Sequence, residues 1–160
     1  MHSYILWIAT SAYAFHILEE FTFDWKTWAG AVLKLPVNYV HFAIVNGIVG
    51  ILGIACPMVG WNCPIFALSF PAQMLVNATF MHLLPFILTK GRFSPGLGTA
   101  ILLFYPIGIW CFYGAYQDGV LDLKTGIGSF VVGAACLALA IVMLKLRLLP
   151  YFHQEPPKTR

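Results

Sequence analysis

Tyr39–Val59 reads YVHFAIVNGIVGILGIACPMV, twenty-one consecutive residues without an aspartate, glutamate, lysine or arginine. A helix crossing the hydrocarbon core of a bilayer needs about 20 predominantly apolar residues, so this stretch predicts a transmembrane helix. The apolar run is continuous, whereas membrane strands alternate apolar and polar residues over about ten positions. Similar stretches lie to either side, at 4–23, 63–89, 97–116 and 126–148. The whole chain is 60% hydrophobic and 9% charged, with a mean hydropathy of +0.82. That balance cannot supply a solvated surface for a soluble domain. The expected fold is all-α: a polytopic membrane bundle of five transmembrane helices, one domain over residues 1–149, with a short cytoplasmic tail at 150–160.

The breaks between the runs carry turn residues and charges, at 24–38, 57–64, 90–96 and 117–125. Gly47, Gly50 and Gly53, and the pair Ala134 and Ala138, read as close helix packing in lipid. Lys26 and Lys34 lie in the first break, none in the second, Lys90 and Arg92 in the third, Lys124 in the fourth, and Lys145, Arg147, Lys158 and Arg160 at the end. Basic residues collect in cytoplasmic loops. An N-out, C-in arrangement puts eight of them inside and one outside, and predicts a multi-pass protein of the cytoplasmic (inner) membrane. The net charge of +3 follows from this sorting and from contact with anionic lipid; nothing points to nucleic acid. No basic segment precedes Ile5, so the first run is read as a span and not as a cleaved leader. Cys56 and Cys63 flank the second break, where a disulfide or two free thiols are both open; free thiols are the reading preferred here.

Against this apolar background, His16-Ile17-Leu18-Glu19-Glu20 places an imidazole and two carboxylates at the inner end of the first run. A charge at bilayer depth costs roughly 2.5–3.5 kcal/mol on insertion scales, so such residues usually face a protein interior and mark a site. The alternating direction of the spans brings His41 and Asn46, then Asn77 and His82, then the loop from Arg92 to Gly96, to the same end. Residues three and four apart share a helix face, so His16 projects beside both Glu19 and Glu20. Asn77 and His82 are five apart and diverge by about 140° on an ideal α-helix. A π-bulge near Pro85 would bring them into line.

The first of these motifs resembles the HXXEE-domain family of small bacterial membrane proteins. Asn77-Ala78-Thr79-Phe80-Met81-His82 is similar to that family's asparagine-to-histidine element. Phe93-Ser94-Pro95-Gly96 is similar to its Tyr-x-Pro-Gly motif, with phenylalanine in place of the tyrosine. The resemblance spans the first run to the start of the fourth and implies an enzyme without naming a reaction.

The residue types admit several chemistries. His16, Glu20, His82 and His41 are suitable ligands for a divalent metal such as zinc or iron. A carboxylate, Glu19 or Glu20, could then serve as general base, with Asn77 polarising a carbonyl. The expected function is a membrane-embedded, metal-assisted hydrolase acting on an apolar or lipid-like small molecule. A metal-free alternative uses the glutamates directly, as in glutamate intramembrane proteases, although their motif continues to an arginine where Phe21 to Asp24 stand here. Proton transfer of the sterol-isomerase kind is another. Non-catalytic binding or transport is a third class; with no inverted repeat visible, a continuous pathway would need a homo-oligomer.

Overall fold

The computed structural model describes residues 1–146 and 149–152. Among these it is all-helical, with no strand. Six helices make up the fold: α1 (Ile5–Thr22), α2 (Trp25–Val32), α3 (Tyr39–Val59), α4 (Pro64–Leu88), α5 (Leu97–Gln117) and α6 (Leu123–Leu146). Of the expected tail, Pro150–Phe152 form one 3-10 turn; its residues 153–160 lie outside the described residues, as do 147 and 148.

Four helices, α3 to α6, are long and apolar enough to cross a membrane, one fewer than the five spans expected. The difference falls on α1. It has 18 residues, but His16, Glu19 and Glu20 bring its apolarity below that of the others. Its faces are nonetheless sorted: Ile5, Leu6, Ala9, Ala12, Tyr13, His16 and Glu20 are buried, while Phe15, Leu18 and Phe21 are exposed. The spacing of the buried set is the three-and-four pattern of a single helix stripe. His16 and Glu20 therefore face the protein, while the exposed stripe beside them is apolar. Ile51, Met58, Leu102, Ile109 and Val131 on the other helices are exposed too, as expected of surfaces solvated by lipid tails.

The break at 24–38 holds a helix that the sequence reading did not include. The Asp24 carboxylate accepts a hydrogen bond from the Thr27 backbone N–H at 3.4 Å and caps α2, while Trp28 and Ala29 are buried.

The central helix is α4, with every residue from Ala67 to Met74 buried. It packs on α1, α3, α5 and most extensively on α6. That last contact is made by small residues. A Cβ added at Gly133 of α6 would lie 2.7 Å from both the Gln73 nitrogen and the Ser69 carbonyl oxygen of α4, so the two backbones touch without an intervening side chain. Ser129 fastens the same pair by donating to the Ile65 carbonyl oxygen at 3.1 Å.

At the end of the bundle opposite Glu20, Asp118 gathers three segments. It accepts from the His2 backbone N–H and from the Trp61 indole at 2.7 Å, and its Oδ1 lies 2.8 Å from His2 Nδ1. The His2 backbone bond first, and then the indole and imidazole, hold its carboxyl down at about 2. All four cysteines are free thiols; Cys56 Sγ donates to the Phe66 carbonyl oxygen at 3.1 Å.

Because backbone cannot give way as a side chain can, Gly133→Ala is expected to cost about 1–3 kcal/mol, seen as a lowered Tm in detergent. Gly47→Ala meets nothing within 4 Å and should leave Tm unchanged or raise it.

Candidate metal centre

Two helices depart from α geometry near the polar end of the bundle, and each departure precedes a proline. Ala78–Leu83 of α4 is π-helical, two residues before Pro85, and Ala100–Phe104 of α5 is π-helical, two residues before Pro106. A proline offers no N–H to the preceding turn, and the wider winding accommodates that loss. In α4 the consequence is the expected one. Asn77 and His82, five apart, both turn inward, with His82 fully buried and the Asn77 side-chain oxygen shielded from solvent.

Glu20 lies between His82 and His16. Its Oε1 is 3.5 Å from His16 Nε2 and 3.4 Å from His82 Nε2. The two imidazoles are 0% exposed and Glu20 is 5% exposed, so water does not compete for these atoms. The rings meet edge to face with centroids 4.8 Å apart. One ligand atom from each of His16, Glu20 and His82 lies within 4.8 Å of the other two. Ligand atoms held at roughly 2.0–2.1 Å by a tetrahedral ion stand about 3.3–3.4 Å apart, against 3.4 Å from His82 and 3.5 Å from His16 to Glu20.

The second ring nitrogen of His16 settles what its first can do. Glu19 accepts from the backbone N–H groups of Gly98 at 3.1 Å and Thr99 at 2.7 Å, and from the Thr99 hydroxyl at 2.6 Å. Having given its one proton to Glu19, the Thr99 hydroxyl accepts from His16 Nδ1, 2.8 Å away. That assignment leaves Nε2 of a neutral His16 with a lone pair facing a carboxylate oxygen. Two acceptors cannot face each other in a buried site without a positive charge between them. His82 is held similarly, with Nδ1 3.3 Å from the Ser94 hydroxyl. Both Nε2 atoms are buried without a hydrogen-bond partner. A single proton would satisfy one of them; a metal ion would satisfy both. Ligand imidazoles are commonly fixed through their other nitrogen in this way.

The two glutamates thus have separate surroundings. Glu20 joins the imidazoles, and Glu19 closes the N-terminus of α5, where free N–H groups favour an anion. His41 is not in the cluster. Its backbone N–H and Nδ1 lie 3.0 and 2.7 Å from the Asn38 side-chain oxygen. With Asn46, Gln73, Asn77 and Glu20 it lines a cavity of about 260 Å³ between α1, α3, α4 and α6. Asn46 accepts from the Tyr13 hydroxyl at 2.6 Å. Thr99 and Gly98 were missed by sequence reasoning; their one signal is position, two and three residues past Gly96, where a helix after a Pro-Gly turn begins.

The Ser94-Pro95-Gly96 turn packs directly on the imidazoles. Gly96 has φ +90, and a Cβ there would come within 2.6 Å of His82 Cε1 and 2.8 Å of His16 Cε1. Only glycine fits both conditions. Phe93 is exposed and packs its ring against Phe23 at 5.4 Å.

Apolar outward faces and a buried histidine–glutamate–histidine cluster define a helical membrane protein with an internal polar site. Within that class the chain belongs to the HXXEE family: residues 7–111 match the group described as protein of unknown function with HXXEE motif. No curated protein and no solved structure matches it.

Gly96→Ala and Gly91→Ala separate crowding from backbone strain. Gly91 has nearly the same φ, +89, but its nearest neighbour for a Cβ is 3.9 Å away. Gly91→Ala should lower Tm by the cost of the left-handed backbone alone, about 1–2 kcal/mol. Gly96→Ala should cost about 1–3 kcal/mol more, through displacement of the imidazoles; equal losses would contradict this packing.

Proposed function

We propose that the chain is a membrane-embedded metalloenzyme, a hydrolase acting on an apolar or lipid-like substrate, with His16, Glu20 and His82 holding a divalent ion such as zinc or iron. The observation that carries this reading is the pair of buried, unpartnered Nε2 atoms aimed at one Glu20 oxygen, beside a cavity that Glu20 also lines. Three protein ligands are the usual number for a catalytic zinc, which keeps a further position open. Such an ion supplies Lewis acidity toward an ester or amide carbonyl. Asn77, which lines the cavity, binds the substrate's polar group. Glu19 acts through Thr99, fixing the tautomer and the orientation of His16, and is a positioning residue. His41 lies on the substrate side.

The fold reading extends in the same direction. We infer that α1 also lies in the membrane, as a fifth span, because its outward residues Phe15, Leu18 and Phe21 are apolar and exposed while His16 and Glu20 are buried. The sorting of lysine and arginine supports N-out, C-in, which puts the metal centre on the cytoplasmic side of the inner membrane.

The test is turnover in vesicles of mixed acyl-ester and acyl-amide lipids, read by mass spectrometry as products that together gain one water. Wild-type protein should generate them, chelation should stop it, and added zinc or iron should restore it. Glu20→Gln should abolish product formation while its Tm stays close to that of wild type. Equal turnover by wild type and Glu20→Gln would overturn the assignment, and chelator-resistant turnover dependent on Glu20 would replace it with metal-free acid–base chemistry.

A further inference from the structure

The cavity between α1, α3, α4 and α6 is lined by Glu20, His41, Gln73 and Asn77, with no lysine or arginine among its described lining residues, and Leu137, Ala140 and Ile141 of α6 belong to its apolar wall. Gln73 is 1% exposed, and its side-chain oxygen, like that of Asn77, is buried without a hydrogen-bond partner. Leaving such groups unpaired is costly. Tyr13 and Asn46, also on the wall, already pair with each other at 2.6 Å and do not relieve them. The two amides are four residues apart on α4 and share a face, so one ligand group can meet both.

We propose that this cavity binds a single-chain lipid with an uncharged hydroxyl head, the head on Gln73 and Asn77 and the chain along α6. The size limits the occupant. A volume of about 260 Å³ is less than twice the roughly 150 Å³ apolar cavity that encloses a benzene, so it takes roughly ten non-hydrogen atoms. That is the size of one head and the first part of one chain. The charge limits it further. No lysine or arginine lines the wall to pair with a phosphate or carboxylate head. A hydroxyl both donates and accepts, so it satisfies the amides whichever way each is turned. This deepens the substrate reading above and rests on it only in setting the head beside Glu20. In that reading the alcohol is the portion released when an ester is cleaved by water, one C–O bond being replaced by another while the oxygen of the alcohol takes up a proton.

The test is photolabelling of the full chain in phosphatidylcholine bilayers with hexadecanol bearing a mid-chain diazirine, beside the matching hexadecanoic acid and hexadecylamine. Labelled peptides are mapped by mass spectrometry. The alcohol should label residues 45–49 and 137–141 several-fold more than either other probe. Gln73→Leu should reduce that labelling by about three- to tenfold, the loss of one buried hydrogen bond, and Ala140→Trp should block it by filling the cavity. Gln73→Leu keeps the volume and carries the comparison if Ala140→Trp fails to fold. Equal labelling by all three probes spread over Ile51 and Met58, preference for the acid or the amine, or undiminished labelling of both variants would overturn the proposal. Labelling requires neither metal nor turnover. Protein that labels as expected but hydrolyses nothing removes the enzyme reading alone. Protein that hydrolyses esters whose alcohols do not label removes this one alone.

Discussion

Enclosing the Glu20 carboxylate in an apolar bundle is the constraint around which the other features are arranged. An ionised carboxylate removed from water must be met by opposite charge or by several hydrogen-bond donors. Here it meets two imidazoles, at 3.5 and 3.4 Å, and one of them presents a lone pair. A proton would complete the balance at one imidazole, and a cation held among the three side chains would complete it at both. Glu19 shows the contrasting solution four atoms of backbone away: three donors from Gly98 and Thr99 converge on it, and no cation is needed.

Three costs are accepted to bring the imidazoles together. Two helices wind as π segments ahead of Pro85 and Pro106, although such segments are rare and occur mostly as single turns, often at functional sites. Gly96 adopts a left-handed backbone because its Cβ position is taken by the histidine rings. The α1 helix gives up hydropathy along one stripe. Each departure from regular structure has a neighbour in the site, and the remote parts of the fold, such as the bare backbone contact of α4 with α6 at Gly133, follow ordinary membrane packing.

Much of this is legible in the sequence. The helices at 39–59, 97–117 and 64–88 lie within one or two residues of the hydrophobic runs, because in lipid the length of an apolar stretch directly sets the length of a helix. The one-ended clustering of His16, Glu20, Asn77 and His82 follows from counting alternate spans. The five-residue mismatch between Asn77 and His82 even anticipates the π segment. Other elements are opaque for physical reasons. Helix α2 owes its existence to one aspartate cap and a buried Trp28, a signal too short to separate from a loop. The division of labour between Glu19 and Glu20 depends on Thr99, 80 residues away in sequence, and no local pattern carries that pairing. The cavity is lined jointly by α1, α3, α4 and α6, and hydropathy does not encode which helices become neighbours.

Whether His16, Glu20 and His82 converge on one cation decides between a metal centre and a proton-filled cluster. X-ray absorption at the metal edge of the purified, zinc-loaded protein examines it directly. The account predicts a first shell of nitrogen and oxygen at about 2.0–2.1 Å, with the multiple-scattering signature of two imidazoles, reduced to one imidazole in His82→Ala. A shell containing sulfur, a shell of water oxygens alone, or two imidazoles persisting in both His16→Ala and His82→Ala would contradict it.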